Sequence, residues 1–71
     1  MKMYEAAQTV LRNAGRPMTA NEIYDEIIKN QLFTFGAKDP VAVLKQTLRK
    51  KSQAENPIFT KVESNKFQLA T

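Results

Sequence analysis

The sequence predicts an α+β fold, mainly α, built as three helices followed by a two-stranded β-hairpin. Three observations carry this reading. Residues 3–14 and 20–31 repeat their apolar side chains at spacings of three and four, the period of a helix with one buried face. Residues 40–52 open with Asp39-Pro40, an N-cap followed by a proline at the first helical position, and hold a third apolar seam. The stretches IFTKVE and KFQLA are rich in β-branched and aromatic residues and flank Ser64-Asn65, which suits a tight turn.

The first helix, MYEAAQTVLRNA, places Tyr4, Ala7, Leu11 and Ala14 on one face, with Met3 and Val10 beside it. Gly15 stands where a C-terminal cap wants a left-handed residue, and Pro17 cannot continue the helix. Pro17-Met18-Thr19 is therefore extended and able to supply one short strand. Thr19 and Glu22 form a capping box that starts the second helix, Ala20 to about Gln31. Its expected buried stripe is Ile23, Tyr24, Ile27 and Ile28, and its wet face Glu22, Asp25, Glu26 and Lys29. The link LFTFGAK is too apolar for a free linker, so Leu32 and at least one of Phe33 and Phe35 are expected to pack inward. The third helix runs from Pro40 to about Ser52, and QAENP is a loop before the hairpin. No internal repeat or boundary divides the chain, so residues 1–71 are read as one domain.

A chain of 71 residues buries only a modest share of its unfolded surface, roughly 60%. Its hydrophobic content of 42% is ordinary for a globular domain. There is no cysteine and no histidine, which removes disulfides, the usual zinc and copper ligands and the usual general base at neutral pH. No Gly-rich phosphate loop and no arguable carboxylate pair is present. The expectation is a non-catalytic module with no cofactor, no metal site and no small-molecule substrate. No apolar run approaches the ~20 residues needed to span a bilayer, so no membrane partner is expected. MKMYEAAQ lacks the apolar region of a signal peptide, which makes an intracellular location the expectation, in the cytoplasm or nucleoid of a bacterium or the nucleus of a eukaryote.

The net charge is +4, and its placement is informative. In residues 1–35 four cations balance four acids; in residues 36–71 seven cations face three acids. All the excess lies in the second half, as expected of an anion-binding surface.

Three helices and then a hairpin is the layout of a winged helix-turn-helix, with the second and third helices as the helix-turn-helix and the hairpin as the wing. The chain also resembles the HARE-type helix-turn-helix domain of Asx-like chromatin proteins and restriction-enzyme fusions. The resemblance lies in EAAQTVLRNAGRPMTANEIYDEI, GAKDPVAVLKQTLRKK and IFTKVESNKFQL, nearly the whole chain. One departure is Asp39, where the family often has threonine before the proline. Both residues cap a helix, but the added negative charge alters any phosphate contact at that N-terminus. What the resemblance implies is binding to double-stranded DNA, with recognition of modified bases. It also extends to the N-terminal domain of the bacterial RNA polymerase delta subunit, which implies a protein-binding module as the alternative, because fold alone does not fix function. A targeting module for a fused nuclease or modification enzyme is compatible with either.

On the third helix, Val41, Leu44 and Leu48 fall within an arc of about 60° and form the expected core seam. Ala42, Val43, Gln46, Arg49 and Lys50 collect on the opposite, exposed face, with Lys45 and Lys51 at its edges. Nothing acidic follows Asp39 on this helix. Cations near a helix C-terminus are favoured by the macrodipole, which accounts for part of the pattern. The absence of acidic partners one turn earlier favours phosphate binding instead. The candidate DNA-binding residues are Lys38, Val43, Lys45, Gln46, Arg49, Lys50 and Lys51, joined on the wing by Asn65 and Lys66. Lys61 is a further wing cation, and Lys66 is also suited to guard an exposed strand edge. Gln46 has the geometry to pair with adenine, and Val43 to contact a pyrimidine methyl. The acidic second helix is the feature that favours a protein partner.

Overall fold

The computed structural model describes residues 2–63 and 65–70. The elements are α1 (Met3–Ala14), β1 (Met18–Thr19), α2 (Ala20–Lys29), α3 (Pro40–Ser52), β2 (Phe59–Val62) and β3 (Lys66–Leu69). This is the winged helix expected from the sequence, with one addition. The hairpin is completed by β1 into a three-stranded antiparallel sheet of order β1-β3-β2. Met18 pairs with Phe67 and Thr19 with Lys66, while Phe59 pairs with Leu69 and Val62 with Lys66 on the other side of β3. Lys66 therefore sits on the central strand and guards no edge. Lys61, on β2, is the exposed cation at the sheet edge.

The helix ends follow local chemistry. The Glu5 carboxylate accepts the Lys2 backbone N–H at 2.7 Å, closing the start of α1. Gly15 takes φ 65° and donates its N–H to the Leu11 carbonyl, a left-handed cap that glycine adopts without a Cβ clash. At α2, the Glu22 amide donates to Thr19 Oγ1 at 3.2 Å and the Thr19 amide to Glu22 Oε1 at 2.9 Å, so both halves of the capping box form. At α3, the Ala42 amide donates to Asp39 Oδ1 at 3.2 Å, with Pro40 in the first turn.

The core joins Ala6, Ala7, Val10 and Leu11 of α1, Met18, Ala20, Ile23 and Ile27, Leu44 and Leu48 of α3, and Phe59 and Phe67 of the sheet. Leu32, Phe33, Phe35 and Val41 pack partly buried against it, as expected of the apolar link and the seam of α3.

Three local expectations are corrected. The buried face of α1 is centred on Ala6, Ala7, Val10 and Leu11. Ala14 is exposed and Tyr4 half-buried, because each lies in an end turn of the helix, where cover from the other elements runs out. Helix α2 stops at Lys29 rather than Gln31. Asn30 donates its amide N–H and its side-chain Nδ2 to the Glu26 carbonyl, and Gln31 turns left-handed at φ 52°. Ile28 is 43% exposed instead of belonging to the buried stripe. The seam runs through Ala20, Ile23 and Ile27, and Ile28 stands about 100° further round, beyond the cover of α1 and α3. In the hairpin turn, Ser64 lies outside the described residues; Glu63 holds a left-handed φ of 58° and Asn65 is exposed.

Candidate nucleic-acid interface

Helix α3 has thirteen residues and is about 20 Å long. Leu44 and Leu48 are fully buried, and this fixes the rest of the helix surface. Ala42, Lys45, Gln46, Arg49 and Lys50 are exposed on the outer side. Val43 differs from expectation: it is half-buried, not exposed, sheltered by its helical neighbours Gln46 and Thr47. Two shallow hollows lie along this face and share Val43, Gln46 and Arg49. One continues through Thr47 and Lys50 to Gln53, the other through Ala42 and Lys45 to Asp39. The helix thus presents a slightly apolar centre, Val43 with Thr47, framed by one amide and three cations. Thr47 is not among the sequence candidates, although its position four residues after Val43 puts it on the same face.

The electrostatics are one-sided. Arg49, Lys50 and Lys51 occupy the last turn, where the macrodipole favours positive charge, and the first turn contains no acidic residue. Among the described residues, the ion pair within 4 Å is Arg16 with Glu22 at 3.8 Å, away from α3. Lys45, Arg49 and Lys50 are therefore exposed cations without a carboxylate partner among those residues. Lys51 is different. It is half-buried, with its ammonium 4.5 Å from the centre of the Tyr4 ring. Its carbonyl accepts the Ile58 amide at 3.2 Å, which ties the end of α3 to the entry of β2.

The remaining sequence candidates are spread around this helix. Lys38 is exposed in the link just ahead of α3. Asn65 is exposed in the wing turn, and Lys66 is half-buried where β3 meets Thr19. The acids of α2 are not all free. Glu22 is engaged by the Thr19 cap, and that backbone hydrogen bond holds its carboxyl below the ordinary value, with Arg16 and Lys66 adding to the effect. Asp25 is exposed and Glu26 half-buried.

Among the described residues, no His, Cys, Asp and Glu cluster is arranged to hold a metal ion, and no helix is long and apolar enough to cross a membrane.

No curated protein and no solved structure matches the chain. A family model does: HARE-HTH, described as the helix-turn-helix domain of ASXL and restriction endonuclease proteins, matches residues 1–71. That family is a helix-turn-helix DNA-binding domain rather than a catalytic one, in accord with the three helices, the three-stranded wing and the basic outer face of α3. The chain belongs to the HARE-HTH family of winged helix-turn-helix domains.

Proposed function

We propose that α3 lies on duplex DNA and that Lys45, Arg49 and Lys50 make the principal contacts, to phosphates. The observation that carries this is the division of α3 between a fully buried Leu44–Leu48 seam and an outer face whose three cations have no carboxylate partner among the described residues. A helix of this size fits the major groove of B-DNA, about 12 Å wide. Lys38 ahead of the helix and Asn65 and Lys66 on the wing extend the same contact to flanking backbone. Gln46 meets base edges as the one exposed amide in the centre of the face. Val43 and Thr47 add methyl groups beside it, suited to distinguishing a base that carries a 5-methyl group from one that does not.

Mainly ionic contact gives strong salt dependence and weak sequence preference. Binding of the domain to a short duplex is the test, measured by fluorescence anisotropy over a range of salt concentrations. Affinity falling linearly on a log–log plot, by about 0.9 per phosphate contact, supports the proposal. Absence of binding at low salt refutes it.

A further inference from the structure

Ile28 is the one large hydrophobic side chain that stands clearly exposed among the described residues. A single exposed apolar residue is ordinary. This one is not isolated. Tyr24, one turn earlier on α2, has its ring centre 5.1 Å from that of Phe35, and Phe35 stands 5.1 Å from Phe33 in an edge-on arrangement. All three rings are half-buried, and with Ile28 they line one open hollow of about 720 Å³ between α2 and the link to α3. Gln31 sets this arrangement. Its left-handed φ of 52° turns the chain off the end of α2, and the link then folds back so that its phenylalanines lie beside Ile28. Core packing alone does not require this surface, because Leu32 already donates its amide back to Ile27 and anchors the link at the end of the helix.

The hollow has a definite electrostatic character. Lys38 is its only charged lining residue. Lys38 is exposed and has no carboxylate within ion-pair distance among the described residues. The whole chain carries +4. Aromatic side chains around an apolar floor, with a cation at the rim, are the composition of a protein-docking patch, where a few buried anchors supply most of the binding energy. The basic outer face of α3 does not line this hollow.

We propose that the hollow between α2 and the link is a docking site for a short acidic-apolar segment of a partner protein. The segment sets an apolar side chain against Ile28 and Phe35 and a carboxylate against Lys38. Charge complementarity at the rim steers it and rejects basic competitors. The site lies off the outer face of α3, so the domain holds such a partner while α3 occupies DNA.

The test is a selection from a random peptide display library on the folded domain, with counter-selection on Ile28→Asp. Recovered peptides are then titrated onto the isotopically labelled domain. The expected result is peptides that combine an aromatic or leucine anchor with aspartate or glutamate. They should shift the resonances of Ile28, Phe35 and Lys38, and should bind roughly tenfold or more weakly to Ile28→Asp. Lys38→Glu, an exposed substitution that leaves the core untouched, should weaken the same peptides, and a second duplex titration should show Ile28→Asp still binding DNA. The proposal is overturned if no peptide depends on Ile28, or if acidic peptides shift only Arg49 and Lys50 and so merely imitate phosphate. It is equally overturned if the labelled domain self-associates through Ile28, which would make a second copy the occupant.

Discussion

The Lys51 ammonium stands 4.5 Å from the centre of the Tyr4 ring, joining the last turn of α3 to the first turn of α1. The Lys2 ammonium lies 5.9 Å from the same ring. This contact separates Lys51 from its neighbours Arg49 and Lys50, which are exposed. We read Lys51 as holding the end of α3 against α1, with a smaller part in DNA contact than its charge alone implies.

A double-mutant cycle checks this. Lys51→Gln and Tyr4→Leu should each lower stability, with a coupling between them of about 0.5–2 kcal/mol by chemical denaturation. Lys51→Gln should change the salt slope of DNA binding less than Lys50→Gln does. Zero coupling would mean that the ring and the ammonium are neighbours without mutual stabilisation.

Leu48→Ala should cost about 2–5 kcal/mol, because it opens a cavity at a fully buried position shared by all three helices and the sheet. In a domain this small that loss approaches the whole stability, so a thermal melt should show the variant largely unfolded or strongly destabilised. Val43→Ala, at a half-buried position beside the hollow, should cost less than about 1.5 kcal/mol.

The Glu22 carboxyl is held below its ordinary value chiefly by the Thr19 backbone hydrogen bond. A carboxylate with a depressed folded pKa stabilises fully above its unfolded value, about 4.3, and loses that contribution as pH falls through the folded value. Glu22→Gln should therefore flatten the acid side of the stability profile below about pH 4.3 while leaving the capping geometry in place. Urea midpoints measured across this range for both proteins check it. An unchanged profile would assign the acid sensitivity to other carboxyls.

Asp39 caps α3 and also lines the hollow that holds Lys45 and Arg49. It places a negative charge beside the surface assigned to phosphate. Asp39→Ser keeps a side-chain oxygen for the Ala42 amide and removes the charge. DNA affinity at low salt should rise roughly two- to fivefold, with melting temperature nearly unchanged. A fall in affinity would show that the carboxylate takes part in binding.

Much of this fold was legible because its signals are local. Thr19 and Glu22 announce a helix start through chemistry three residues apart, and Asp39-Pro40 does so within two. The seam of α3 follows from spacing alone, and so does the family resemblance carried by the helix-turn-helix. What was misread depends on distant chain. The arc of Tyr24, Ile27 and Ile28 shows which side of α2 is apolar, but not where α1 and α3 stop covering it, so Ile28 was placed inside. The pairing of Met18 with Phe67 is non-local, which is why β1 read as an extended segment able to form a strand and not as part of a three-stranded sheet. The Lys51–Tyr4 contact joins opposite ends of the helical part of the chain, and no sequence pattern marks it. The basic face of α3 was visible as residues; only the packing shows that Val43 is half-sheltered among them.

The central claim is that the outer face of α3 is the DNA-facing surface, and the double substitution Arg49→Glu with Lys50→Glu tests it most directly. Both positions are exposed, so circular dichroism should show the variant folded, with a slightly lower melting temperature from the lost interaction with the helix C-terminus. Duplex binding is then compared at two salt concentrations. The account predicts that affinity at low salt falls more than tenfold for every sequence tried, and that the salt slope becomes shallower by about one unit for each contact removed. A folded variant that binds as tightly as the original, with the same slope, would contradict it and would place the DNA contact, or the domain's role, on another face.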